Sequence, residues 1–426
     1  MTMQFDLQPL RQPCACGRQH NIFVQDIRIE PGALNRLPEY LKKYACSRPA
    51  VLCDENTFRA AGQKAARLLG CGTVRLNPEN LHANEAAVAA AEQGIRPDAD
   101  ILIAAGSGTV HDITRFIANR RKISFVSVPT AASVDGFVST VAAMTWGGFK
   151  ITFPAVSPVC VLADTDIFSR APYRLTASGI SDLLGKYTAV ADWRIAHLVT
   201  GEYLCERVCS MELDALKTVR ENIGNIRSGD AAAYEQLMYA LLLSGLAMQM
   251  VGNSRPASGA EHHISHLLEM GVLSAPPDAY HGEKVGVGLL LTADIYHRAA
   301  ERLRRGRFRL KPYRGLETDL LREAFRPEGR FSGILKENSP DPLSAVSDEM
   351  LEKGIPDIIG VLDGIPSVRK LSDRIASAGG VRTLPEIGLP NEWADRILRL
   401  APYVRNRLTF LRLLKRFDTD PPLFRA

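Results

Sequence analysis

No stretch of this sequence approaches the roughly 18–20 consecutive apolar residues that a membrane-spanning helix needs, so bilayer insertion is excluded. The first residues, Met-Thr-Met-Gln-Phe-Asp, offer neither a basic segment nor the apolar core of a secretory signal, and a cytoplasmic location is expected. Excess charge is also missing. The formal balance is +5 and dispersed, too little to read as a nucleic-acid surface. Cysteine is sparse, eight in 426 residues, and its scatter (Cys14, Cys16, Cys46, Cys53, Cys71, Cys160, Cys205, Cys209) predicts reduced thiols rather than a disulfide frame. Internal repeats and low-complexity segments are absent.

What is present is a globular composition, 46% hydrophobic and 23% charged, in a chain long enough for two domains. Residues 22–29 alternate (Ile22, Val24, Ile27, Ile29) and end in Pro31-Gly32, as an edge strand leading to a turn does. Ala50 to Cys53 reads as a short buried strand ending at Asp54, followed by an alanine-rich helix over 57–69 and a strand over 73–76. A helix over 84–93 leads to the apolar strand 100–105, which runs into Gly106-Ser107-Gly108, and the next strand, 123–128, closes at Pro129. Strands alternating with helices predict a mostly parallel sheet with ligands at its carboxyl ends. After Pro172 helical periodicity takes over, in runs near 178–198, 203–227, 231–251, 259–270 and 282–300. The expected fold is therefore α/β: a Rossmann-like, mostly parallel sheet domain over 1–171 that binds nucleotide, then an all-helical domain over 172–426 that binds metal and substrate. The active site is expected in the cleft between them.

The Gly106-Ser107-Gly108 turn before a helix offers backbone amides and a helix dipole to a pyrophosphate. It is not the full dinucleotide fingerprint, because His111 stands where a third glycine belongs. Thr109 and Asp112, three apart, have the spacing of a capping box. Asp54 has the placement of a ribose-binding acid, which would favour NAD, and equally of a helix cap. A second polar loop carries Ser127, Thr130, Ser133, Asp135 and Gly136. His262 and His266, four apart, share one helix face, and His281 follows a turn at Pro276-Pro277. Two imidazoles from neighbouring helices suit a divalent metal, and Asp182 is the expected third ligand. Cys14, Cys16 and His20 hint at zinc, but three candidates without a second pair do not close a tetrahedral site. The basic run Arg302, Arg304, Arg305, Arg307, Arg309, Lys311 reads as solvated surface.

Taken in order, Gly-x-Gly-x-x-x-Asp (106–112), Ser-x-Pro-Thr-x-x-Ser-x-Asp-Gly (127–136), Ser-Asp182-Leu, Ser-Gly-Ala-Glu-His262-x-x-x-His266 and His281-Gly-Glu-Lys resemble the sn-glycerol-1-phosphate dehydrogenases. That family lies within the iron-containing alcohol dehydrogenase and dehydroquinate synthase-like superfamily. The resemblance implies Asp182, His262 and His281 as metal ligands, with His262 preferred over the adjacent His263. It implies Asp135, Asp182 and His266 as substrate contacts, and Asp54, Gly106, Gly108, Thr109, Val110, His111, Asp112, Thr130, Ser133 and Ser139 around NAD(H) or NADP(H). Asp182, His262, His266 and His281 form the implied catalytic group, with zinc or nickel, and iron as a third candidate. The implied reaction is hydride transfer between a nicotinamide and a small phosphorylated substrate, in a homo-oligomer without nucleic acid. The alternatives are a glycerol or other polyol dehydrogenase, a dehydroquinate synthase-like cyclase, and a non-catalytic nucleotide-binding protein.

Overall fold

A computed structural model describes residues 3–424, and by packing they fall into two units: 3–183 with 214–254, and 184–213 with 255–424. In the first unit a seven-stranded sheet is built from β1 (Met3–Gln4), β2 (Asp26–Glu30), β3 (Pro49–Asp54), β4 (Thr73–Leu76), β5 (Ile101–Gly106), β6 (Ser124–Pro129) and β9 (Cys160–Asp164). A separate hairpin pairs β7 (Val141–Trp146) with β8 (Phe149–Pro154). The sheet order is β1-β2-β9-β6-β5-β3-β4. Every pairing in it is parallel except that of β1 with β2.

All six residues of β5 are buried, because both faces of the strand are covered. Leu102 and Ala104 join a core with Ile113 and Ile117 of the helix Gly108–Arg121. On the other face Ile101, Ile103 and Ala105 meet Leu37, Leu41 and Ala65. This explains why a continuous apolar run, rather than alternation, marks the strand. The chain passes from β3 outward to β4, then returns to β5 on the opposite side of β3. That reversal opens a crevice at the carboxyl ends of β3 and β5, where open parallel sheets bind ligands. Asp54 ends β3, and Gly106 ends β5 opposite Pro129 of β6.

The helix Ala231–Val251 is apolar nearly all round, and its buried residues include Leu237, Leu241 and Leu246. It holds the loop after β6: Ser244 Oγ donates to Asp135 Oδ2 at 2.9 Å, and Gln249 Nε2 donates to the Val138 carbonyl and to Ser157 Oγ. Strands β7, β8 and β9 are additions to the elements expected from sequence.

The second unit is helical apart from one ribbon, β10 (Phe308–Leu310) paired antiparallel with β11 (Phe417–Thr419), which the sequence pattern did not announce. Its rings Phe308 and Phe417 meet edge to face at 5.8 Å. The helices Ala260–Glu269 and His281–Arg304 pack directly: a Cβ on Gly288 would lie 2.6 Å from the Glu261 carbonyl oxygen. Arg304 pairs with Asp363 and Arg305 with Glu301, as exposed ion pairs do. No helix among the described residues is long and apolar enough to cross a membrane.

Candidate active site

At the glycine turn, the helix Gly108–Arg121 starts from Ser107 without a side-chain cap, which leaves its first amides for another acceptor. The capping box expected from Thr109 and Asp112 is not formed. The helix begins two residues earlier than that box needs, and Asp112 Oδ1 lies 3.7 Å from Arg115 Nε instead. Gly106 has no room for a side chain, since a Cβ would sit 2.4 Å from that of Val110. Asp54 caps the turn that follows β3: its Oδ1 accepts from Thr57 N at 2.7 Å and Thr57 Oγ1 at 3.0 Å. This engages one oxygen and leaves the cap compatible with a ribose contact through the other.

His111 is 1% exposed and engaged at both ring nitrogens, with the Ser107 carbonyl at 2.9 Å and Ser127 Oγ at 2.7 Å. Burial, assisted by the Arg115 charge, pushes its pKa down to about 3. The unfolded chain therefore binds more protons than the folded one between about pH 6.5 and 3. Stability from neutral His111 is complete above the upper value and is lost as the pH falls through that window. His111→Gln, able to keep the Ser127 bond, is expected to lose less melting temperature than the wild type between pH 7 and 5. An equal loss in both would contradict this.

Arg115, fully buried, was not singled out from sequence. Its guanidinium donates to the carbonyls of Gly136, Phe137, Ser139 and Val141, so it shapes the loop after β6 from inside. Ser139 is turned into that loop, with Oγ bonded to Val141 N at 3.1 Å. Thr130 N donates to the Gly106 carbonyl at 3.0 Å, tying the two ligand loops together. Ser133 Oγ is buried and has no hydrogen-bond partner among the described residues, which suits a ligand atom.

Asp182, wholly buried near the end of the helix Tyr173–Leu184, accepts on Oδ2 from Asp135 N at 3.2 Å. Asp182, His262 and His281 each present one ligand atom, and these lie within 4.8 Å of one another. His263 is outside the group: it is fully buried one residue further round the helix, and neither ring nitrogen has a hydrogen-bond partner among the described residues. His262 Nδ1 is 2.7 Å from Glu261 Oε1, and His281 Nδ1 is 3.1 Å from Glu269 Oε1. A carboxylate only accepts, so each Nδ1 carries the proton and each Nε2 keeps its lone pair. Carboxylate-backed imidazoles with a buried carboxylate fit a divalent cation of the zinc type.

Glu261 is fixed in turn by Gly259 N at 2.7 Å and Thr188 Oγ1 at 2.5 Å. Burial alone would raise its pKa, but the hydrogen bonds from His262, Thr188 and the Gly259 amide outweigh that and hold it below the usual range. Asp192 anchors the same helix start through Ala260 N at 2.8 Å. Burial and the nearby Glu261 charge push Asp192 up to about 7. The His266 ring stands 6.2 Å from that of His262 and 6.0 Å from that of His281. Glu269 also pairs with Lys284 at 3.2 Å. Arg405 keeps Nη2 buried with no acceptor among the described residues. Glu261 and Glu269 were legible as neighbours of the histidines, one adjacent to His262 and one three residues after His266. Arg405, far along the chain, was not.

The family model for iron-containing alcohol dehydrogenase matches residues 28–172. A glycerol-1-phosphate dehydrogenase (NAD(P)+) of Bacillus velezensis is 34% identical over 404 residues, 92% of this chain and 91% of the relative. The chain belongs to the glycerol-1-phosphate dehydrogenase family. The Bacillus licheniformis member is 34% identical over 96% of this chain and 94% of its own. A glycerol-1-phosphate dehydrogenase (NAD(P)+) of Pyrococcus furiosus is 35% identical over 64% of this chain and 79% of its own. Among solved structures, maleylacetate reductase from Agrobacterium tumefaciens has the same fold, with a TM-score of 0.61 at 16% identity over 92% of this chain and 91% of its own.

Proposed function

We propose that this chain is a metal-dependent, NAD(P)-linked oxidoreductase that interconverts dihydroxyacetone phosphate and sn-glycerol 1-phosphate by hydride transfer. The observation that carries the reading is the ligand set Asp182, His262 and His281, with its carboxylate supports, in a chain that matches glycerol-1-phosphate dehydrogenases along nine-tenths of its length. A divalent cation there would supply Lewis-acid stabilisation of negative charge on the C2 oxygen. The uncapped amides at Gly108 and Thr109 bind the dinucleotide phosphates, and Asp54 and Ser133 contribute from the neighbouring loops. Asp135 orients the substrate, while His266 positions a hydroxyl or passes a proton. Lys284 and Arg405 are the cations offered to the substrate phosphate. The enzyme is read as cytoplasmic and homo-oligomeric.

The positions of metal, nicotinamide and phosphate define three directions around C2, so one enantiomer alone aims its hydrogen at the cofactor. Oxidation of sn-glycerol 1-phosphate should therefore exceed that of the 3-phosphate, with free glycerol slower still, when each is followed by reduced-nicotinamide absorbance with NAD+ and NADP+ in parallel. Asp54 predicts the better rate with NAD+. Faster turnover of glycerol or of the 3-phosphate would move the chain to the polyol dehydrogenases, and a better rate with NADP+ would remove the role given to Asp54.

A further inference from the structure

A second cluster of metal-ligating side chains lies apart from the reaction assigned above. Cys14, Cys16, His20 and Cys205 each present one ligand atom, and the four atoms lie within 4.8 Å of one another. From sequence the first three lacked a fourth partner. The fold supplies it from the residue preceding the helix Glu206–Arg227.

The geometry points to a structural zinc site formed by the three thiolates and one imidazole. Tetrahedral coordination with Zn–S near 2.3 Å and Zn–N near 2.0–2.1 Å requires ligand atoms about 3.4–3.8 Å apart. Cys16 Sγ and His20 Nε2 stand 3.4 Å apart. His20 is 4% exposed, and its Nδ1 lies 2.7 Å from the Met250 carbonyl oxygen. A carbonyl can only accept, so Nδ1 holds the proton and the Nε2 lone pair faces the sulfurs, as in histidines that ligate zinc. The Cys-x-Cys turn is closed by Gly17 N donating to the Cys14 carbonyl at 3.0 Å, with Gly17 at φ +77°, a conformation that favours glycine. None of the three cysteines is in a disulfide, and Cys205 is fully buried. Four protein ligands leave no open position, so the ion would be structural rather than catalytic.

The test uses the full chain purified in reductant and loaded with cobalt(II), which gives a strong near-ultraviolet charge-transfer band only when thiolates bind it. Wild-type protein should show this band and bind one ion for each cluster. Cys14→Ser and Cys205→Ser should each abolish the band and lower the metal content by one ion. His281→Ala should lower the metal content by one ion and keep the band, which separates this site from the catalytic one. Absence of the band in the wild type, or its persistence in both cysteine variants, would overturn the proposal. A disulfide between these cysteines in the reductant-purified protein would do so as well. If the serine variants do not fold, mercurial titration of wild-type thiols still decides, because release of zinc must accompany modification of these cysteines.

Discussion

Alanine at position 281 is expected to strip the protein of its catalytic metal and lower kcat/KM by about a thousandfold, the scale of the several kcal/mol a Lewis acid supplies at about 1.4 kcal/mol per tenfold. Asp182 and His262 would remain, but two ligands hold a divalent ion poorly and leave the Glu269 carboxylate without its histidine. His262→Ala should behave alike. His263→Ala should keep its metal while losing stability, since that ring fills a buried position outside the ligand group. Elemental analysis of the three variants checks this. Unchanged catalytic metal in His281→Ala, or metal lost only in His263→Ala, would refute the ligand assignment.

A single methyl group on Gly179 should do comparable harm at a distance from any ligand atom. Its Cβ would lie 2.1 Å from the Ala132 carbonyl oxygen and 3.1 Å from Ser133 Cα, so the backbone itself has to yield. The helix Tyr173–Leu184 carries Asp182, and the opposing loop carries Thr130, Ser133 and Asp135. Gly179→Ala pushes these two apart, stretching the Asp135 N to Asp182 Oδ2 bond. A displacement near 1 Å costs on the order of a hundredfold in kcat/KM, and the overpacking destabilises by about 1–3 kcal/mol. Gly224→Ala is the control: it sits in a helix with nothing within 4 Å and should be neutral or stabilising. Wild-type melting temperature and kcat/KM in Gly179→Ala would show that the contact yields without consequence.

The parts of the site that were legible in the sequence are those whose chemistry is local. The glycine turn follows an apolar run directly, and His262 and His266 are one helical turn apart, so spacing alone placed them. The choice between His262 and His263 is different in kind. Adjacent residues on a helix point about 100° apart, and only the packing of the Ala260–Glu269 helix on its neighbour at Gly288 decides which one faces His281. Cys205 was invisible as a partner of Cys16 for a related reason: nothing local links it to a turn near the start of the chain. β9 also escaped, because a short strand followed by a cap reads as a loop until parallel neighbours are found on both sides. Asp164, at its end, bonds Gly32 N at 2.9 Å and Leu34 N at 3.2 Å. Those amides become its partners only once β2 lies beside β9.

The sheet order has one more consequence, for association between chains. A sheet invites strand addition wherever its outermost strand is long and flat. Here one margin is β1, two residues long, and the other is β4, four residues long. On β4 the exposed Arg75 lies over the Phe58 ring at 4.5 Å and pairs with Glu55 at 3.5 Å, so a charged group guards the margin. A strand arriving at either side would find few backbone partners, and at β4 it would have to displace an ion pair. Amyloid-like stacking thus has little template in the native sheet, however apolar β5 and β6 are at its centre.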